Sequence, residues 1–179
     1  MAAGTPSQSH PFAQLAIDAI TTYVRDFRVI SPEEHLLDRF PLLRQRAGAF
    51  VSLKKYGDLR GCIGTIEPAR DFLAMEIIEN AISASTRDPR FRPVAEDELL
   101  ELKVSVDILS PPQRVSGPHE LDIRRYGLIV TCGTRRGLLL PNIEGIASVE
   151  EQVTIARKKG GIGEVEAVDL YRFEVERYF

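Results

Sequence analysis

"AFVSLKKYGDLRGCIGTIE" at residues 49–67 decides how the chain begins to fold. Phe50, Val51 and Leu53 precede turn residues at Gly57-Asp58, and a second apolar run opens at Leu59, so the spacing predicts a β-hairpin that Pro68 closes. Its return strand, "LRGCIGT" at 59–65, sets Cys62 between Gly61 and Gly64. With unbroken alternation, Leu59, Ile63 and Thr65 point to one face and Arg60, Cys62 and Ile66 to the other. A guanidinium then lies about 7 Å from a thiol, where a cation favours the thiolate, the nucleophilic form. The glycines remove bulk beside the thiol and leave room for a ligand or another backbone.

A second reading of the same residues is structural. Free cysteine packs as a small hydrophobe, and glycine lets a strand bend or a helix come close. A catalytic Cys62 also needs a base, for which His119 in a loop and His35 in a short helix are the candidates, although no spacing ties either to it. Both readings stand at this point.

Outward from the hairpin, Phe12, Leu15, Ala16, Ala19, Ile20, Tyr23 and Phe27 recur at three and four, which predicts an amphipathic helix over 11–27. "SPEE" at 31–34 predicts a short helix capped by Ser31. Phe72, Met75, Ile78 and Ile82 predict a helix from Asp71 to about Ser85, and "DPRFRPV" at 88–94 is irregular because each proline disfavours helix before it. "ELKVSVDIL" at 101–109 alternates as a half-buried strand. "YGLIVTC" and "GLLL" around "GTRR" predict a second hairpin, Ser148 with Glu151 a capped helix ended by "KKGG", and "LYRFEVERYF" a terminal strand. Shifting the chain by 76 residues lays Gly57, Arg60 and Gly61 over Gly133, Arg136 and Gly137, a match that hairpin turns also favour by composition.

At 179 residues the chain suits one domain over 10–179, or two lobes sharing a core, behind a frayed segment at 1–9. A net charge of −3 gives no basic footprint for nucleic acid, although Arg124-Arg125, Arg135-Arg136 and Lys158-Lys159 are local basic pairs. The N-terminus has no signal-peptide pattern and no stretch reaches membrane-spanning length, so a cytoplasmic protein is expected. Cys62 and Cys132, with three histidines, form no zinc or iron–sulfur spacing, and "GGIG" at 160–163 follows a helix rather than opening one, so neither metal nor nucleotide cofactor is expected. Glu76, Glu79, Asp97, Glu98 and Glu101 read as solvated faces.

"LRGCIGT" followed by a helix, then "DPRF" with "PV" close behind, "VSVDILSPP", "YGLIV", "GLLLP" and the ending "LYRFEVERY" resemble the AMMECR-type domain, whose prokaryotic members are called AmmeMemoRadiSam system protein A. Arg92 departs from that pattern, where a second proline is common, and "IARKKGG" lacks the cysteine some relatives carry. The resemblance implies an α+β fold, mainly antiparallel sheet with flanking helices, in two unequal lobes with a cleft near the motif. By position it carries over Leu59, Arg60, Gly61, Cys62, Ile63, Gly64 and Thr65 as site residues. It also implies association with a Memo-like protein and a radical S-adenosylmethionine protein, as an enzyme or small-molecule-binding component, or as a non-enzymatic adaptor.

Overall fold

The computed structural model describes residues 9–179. The expected fraying at 1–9 falls, through residue 8, outside the described residues. Two compact units emerge: one ends at Ile108 and takes back Arg177–Phe179, the other is Leu109–Glu176. Helices accompany two four-stranded antiparallel sheets, the α+β arrangement the sequence predicts.

The first unit opens with α1 (Pro11–Asp26), where proline fits the first turn and His10 Nδ1 accepts from the Phe12 N–H. Its buried stripe includes Leu15, Ala16, Ala19 and Ile20. The short α2 (Glu34–Arg39) corrects the expected Ser31 cap: Glu33, in extended conformation, is the N-cap and supplies no side-chain bond, which leaves Ser31 and Pro32 outside the helix. The hairpin follows as β1 (Ala49–Lys55) and β2 (Asp58–Thr65). Its two turn residues are Tyr56 and Gly57, with φ of 53° and 96°, the doubly positive pattern that matches strand twist. Then come α3 (Leu73–Thr86) and β3 (Leu102–Leu109), and the sheet runs in the order β2-β1-β3-β8, with β8 (Val175–Tyr178) at the far edge.

Alternation sorts this sheet's faces. Ala49, Val51 and Leu53 of β1, and Val104, Val106 and Ile108 opposite them, are buried in one core cluster with Ile77, Ile78 and Ala81 of α3. Each fully buried side chain of this size contributes about 1.5–3 kcal/mol, so this face anchors the unit. The other face carries Phe50, Ser52 and Lys54 of β1, with Asp107, Ser105 and Lys103 as their partners in β3.

In the second unit, β4 (Gln113–Val115), β5 (Gly127–Cys132), β6 (Arg135–Leu139) and β7 (Asp169–Phe173) form a sheet in the order β4-β7-β5-β6. The helix α4 (Val149–Lys159) starts where the sequence predicts, with Ser148 Oγ accepting from the Glu151 N–H at 3.2 Å. Both hairpins use a glycine in the second strand for helix approach: a Cβ at Gly61 would strike the Ala84 carbonyl of α3, and one at Gly137 the Ala156 carbonyl of α4. The predicted terminal strand is two strands, broken at Glu174, of which β7 and β8 enter different sheets.

Candidate functional site

A one-residue bulge sets the geometry of "LRGCIGT". Leu53 pairs with Gly61 but Lys54 pairs with Leu59, so Arg60 is an extra residue in β2. An extra residue flips the side chains on one side of it to the opposite face. This corrects the expectation that Arg60 and Cys62 are same-face neighbours. Cys62 pairs with Ser52, and its sulfur accepts from Ser52 Oγ at 3.2 Å. Arg60 turns instead toward the side of Lys55, where both bond Glu98. Leu59, opposite Lys54, shares the Cys62 face rather than that of Ile63 and Thr65.

Arg60 is held by a carboxylate, not by a thiol. Its Nε and Nη2 donate to Glu98 at 3.0 and 2.8 Å, and its Nη1 donates to the Arg92 carbonyl at 2.9 Å. The Arg60 guanidinium, aided by the Ala95 N–H and Lys55 against the cost of burial, lowers Glu98 to about 2. Glu98, read from sequence as a solvated residue, therefore clamps the bulge. Its only local cue is that it belongs to a short 3-10 turn, Glu96–Glu101, which returns over the hairpin.

The glycines and Thr65 also serve packing. The space beside Gly61 is filled by the Ala84 carbonyl and that beside Gly64 by the Phe50 ring, so the expected room for a ligand at these two positions is taken. Thr65 Oγ1 donates to Glu76 and accepts from Asn80 Nδ2 at 3.2 Å, while Glu76 also accepts from the Arg70 N–H at 2.8 Å. Glu76 is 2% exposed, against the surface reading of the sequence. Ile63 packs against the core, and Leu59 is exposed.

What surrounds Cys62 comes from three distant segments. As an edge strand, β2 presents unpaired backbone groups, which proteins cover. Here Asp88 Oδ2 accepts from the Cys62 N–H at 2.9 Å, and Arg90 Nη2 donates to the Cys62 carbonyl at 3.2 Å. Asp88 is 4% exposed, and Arg90 donates to both its oxygens, at 2.9 and 2.7 Å. The Arg90 guanidinium, then the Cys62 and Arg90 backbone N–H groups, hold Asp88 well below the usual carboxylate range against the cost of burial. Buried Asp107 accepts from Arg177 Nε and Nη2 at 2.6 and 2.7 Å, and Asp107 raises Arg177 in return. Arg90 and Arg177 are each in electrostatic reach of the Cys62 sulfur.

The result is a half-buried sulfur on a polar sheet face, with a hydroxyl donor and two guanidinium groups around it. The donors of such surroundings suit a bound anion. Sequence reading missed Ser52, Asp88, Arg90, Asp107 and Arg177. Four of them lie in the quoted blocks "DPRF", "VSVDIL" and "FEVERY", whose order along the chain gives no sign that they meet. His119 belongs to the second unit, in the turn Pro118–Glu120, where its exposed ring sits 3.4 Å from Ser116 Oγ and beside Glu120. Cys132, also in that unit, lies 3.7 Å from Glu166 and 3.5 Å from Arg135.

Among the described residues no group of three or more His, Cys, Asp and Glu is placed to hold a metal, and no helix is long and apolar enough to cross a membrane. One cavity of the first unit, about 850 Å³, runs along α1 and α2. The second unit has cavities of about 330 and 660 Å³. Cys62 lines none of the three.

The sequence model of AMMECR1 matches residues 13–178. The chain belongs to the AMMECR1 family. It is similar to a protein of Thermotoga maritima, 54% identical over 171 residues that cover 94% of this chain and 97% of that one. It is also similar to Protein CA_C1420 of Clostridium acetobutylicum, 44% identical over 172 residues, although it spans only 36% of that longer protein. The crystal structure of uncharacterized protein PH0010 from Pyrococcus horikoshii shares its fold with a TM-score of 0.81 at 33% identity, over 93% of this chain and 88% of that one. The AMMECR1 fold is thus the α+β fold described above.

Proposed function

We propose that this AMMECR1-family protein binds a small molecule bearing an anionic group on the polar face of the first sheet, with Cys62 as its nucleophile. The observation that carries the reading is the sulfur's environment: Ser52 Oγ donates to it at 3.2 Å, Arg90 donates to the Cys62 carbonyl at 3.2 Å, and Arg177 is held by Asp107 on the same sheet face. A hydroxyl and guanidinium groups beside the sulfur are donors that a bound anionic group can use. Arg90 and Arg177 are each paired with a buried carboxylate, Asp88 and Asp107, as Arg60 is with Glu98, but Arg60 turns away from the Cys62 face toward Lys55. The sequence resemblance supports a cytoplasmic setting with a Memo-like protein and a radical S-adenosylmethionine protein as partners. The test is built into the chain, which has one other thiol. Under trace iodoacetamide at pH 7, peptide mass spectrometry should find Cys62 alkylated several-fold faster than Cys132, whose sulfur accepts from Arg135 at 3.5 Å but is itself bound to the Glu166 carboxylate. Equal rates, or a Cys62 that reacts only after unfolding, would refute the nucleophile.

A second reading, a non-enzymatic adaptor, is favoured by a specific observation: Arg60, Gly61, Gly64 and Thr65 are all committed to shaping the hairpin and seating α3. On that reading Cys62→Ser leaves capture of the Memo-like or radical-enzyme partner unchanged. Loss of capture in a folded Cys62→Ser protein would exclude it. RNA binding through the arginine pairs is the weakest alternative and predicts affinity that falls steeply with salt.

A further inference from the structure

Lys54 and Lys103 stand directly opposite each other on β1 and β3, on the sheet face that carries Ser52 and Cys62. Both are exposed, and neither ammonium has a hydrogen bond or ion pair among the described residues. Like charges set opposite across a sheet oppose folding, because their Cβ atoms lie about 5 Å apart. Each other cation of these four strands has a carboxylate: Lys55 has Glu98 and Glu101, Arg60 has Glu98, and Arg177 has Asp107. The lysine row is the exception, two positive charges to which the described residues bring no counter-ion.

A row of hydroxyls lies next to it on the same face. Ser52 and Ser105, again directly opposite each other, are two residues from the lysines on their strands, about 7 Å away. Ser52 Oγ is engaged with the Cys62 sulfur, which continues this row onto β2. Ser105 is half-buried, and its hydroxyl has no partner among the described residues. Two cations and one available hydroxyl donor therefore share the face, one row away from the thiol.

We propose that the lysine row is a phosphate subsite, and that the ligand of the Cys62 face is a phosphate monoester. The ammonium groups of Lys54 and Lys103 hold the phosphate, Ser105 Oγ donates to one of its oxygens, and the organic part of the ester runs over Ser52 toward Cys62. A monoester carries a charge of about −1.5 to −2 at neutral pH and three strong acceptor oxygens, which two cations and a hydroxyl match, whereas a carboxylate would leave one lysine without a counter-charge. Lysine binds phosphate as a point charge, so the flat sheet face needs no planar fork. The inference rests on the reading of this face as a ligand site and names the class of its ligand, but it draws on none of the groups that act on the sulfur.

Phenyl phosphate is the probe, and phenyl sulfate, a tetrahedral monoanion of the same shape, is its control. In amide-resolved NMR of the full chain at pH 7 and low salt, phenyl phosphate should shift the backbone signals of residues 52–54 and 103–105 saturably, and phenyl sulfate should bind several-fold more weakly. Losing one cation about 4 Å from the phosphate lowers affinity about fivefold, so Lys54→Gln should weaken phenyl phosphate by that factor, while Lys158→Gln in α4 should match wild type. Lys103→Glu separates binding from folding: it turns a repulsive cross-strand pair into an attractive one, so Tm should hold or rise while phenyl phosphate binding is lost. Equal affinity for the two probes, shifts confined to other residues, no saturable shift, or wild-type affinity in Lys103→Glu would each overturn the proposal. The iodoacetamide test reads the nucleophile separately. An inert Cys62 with intact phenyl phosphate binding refutes the nucleophile and upholds this subsite, whereas a reactive Cys62 with no such binding overturns this subsite alone.

Discussion

Asp88→Asn removes the charge, and half the acceptor capacity, of the group that covers the outer edge of β2. In the native chain that carboxylate accepts from the Cys62 N–H, from the Arg90 N–H and from two nitrogens of the Arg90 guanidinium. Taking one partner from a fully buried ion pair costs about 3–5 kcal/mol. Arg90 is 54% exposed and can rehydrate, and Asn keeps one oxygen for the Cys62 N–H, so the loss expected here is about 2 kcal/mol at pH 7. For a chain of this size that is a fall in Tm of about 4–8 °C. The pH dependence has a definite sign. Asp88 is depressed in the folded state, chiefly by Arg90, so its stabilisation is complete above the unfolded value of about 3.9 and is lost as pH falls toward the lower folded value. Thermal melts by circular dichroism at pH 7, 5 and 3 should show a constant gap between wild type and Asp88→Asn at the first two and a smaller one at the third. Equal stability at pH 7, or a gap that widens on acidification, would refute the clamp.

Gly61→Ala should destabilise the first unit by at least the ~1–3 kcal/mol typical of overpacking, because the atom its Cβ would strike is the Ala84 backbone carbonyl; urea denaturation measures it. Glu98→Gln should destabilise at neutral pH and lose that effect as pH falls from about 4.5 toward 2, since Glu98 is depressed to about 2 by Arg60; melts across that range show whether the gap closes.

The two hairpins and the capped α4 are legible because they rest on local rules: period-two alternation, turn glycines and a Ser–Glu capping box. The two misplaced residues of the motif, Leu59 and Arg60, trace to one cause. A bulge leaves no mark in a period-two pattern except a residue too many, and Arg60 is ordinary in either register. Glu76 and Glu98 read as surface charges, and Asp107 carries no reading, because nothing local announces their partners. Glu76 meets Thr65, Glu98 meets Arg60, and Asp107 meets Arg177, each across a stretch of chain that only the fold closes. Gly61 and Gly64 were noticed for the right reason, the space they leave, but that space belongs to Ala84 and Phe50. The two cations on the Cys62 side, Arg90 and Arg177, belong to "DPRF" and "FEVERY", 28 and 115 positions along the chain from Cys62, and only the fold brings them there.

The central claim is that the positive charge acting on Cys62 comes from Arg177 and Arg90 across the sheet face, and not from Arg60 two residues away. Its most direct test is the rate of Cys62 alkylation by iodoacetamide at pH 7 and low salt in Arg177→Gln, Arg177→Lys and Arg60→Met, each first confirmed as folded. Arg177→Gln should slow the reaction about threefold or more, Arg177→Lys should keep most of the rate, and Arg60→Met should match wild type. A rate that drops in Arg60→Met and holds in Arg177→Gln would contradict the account.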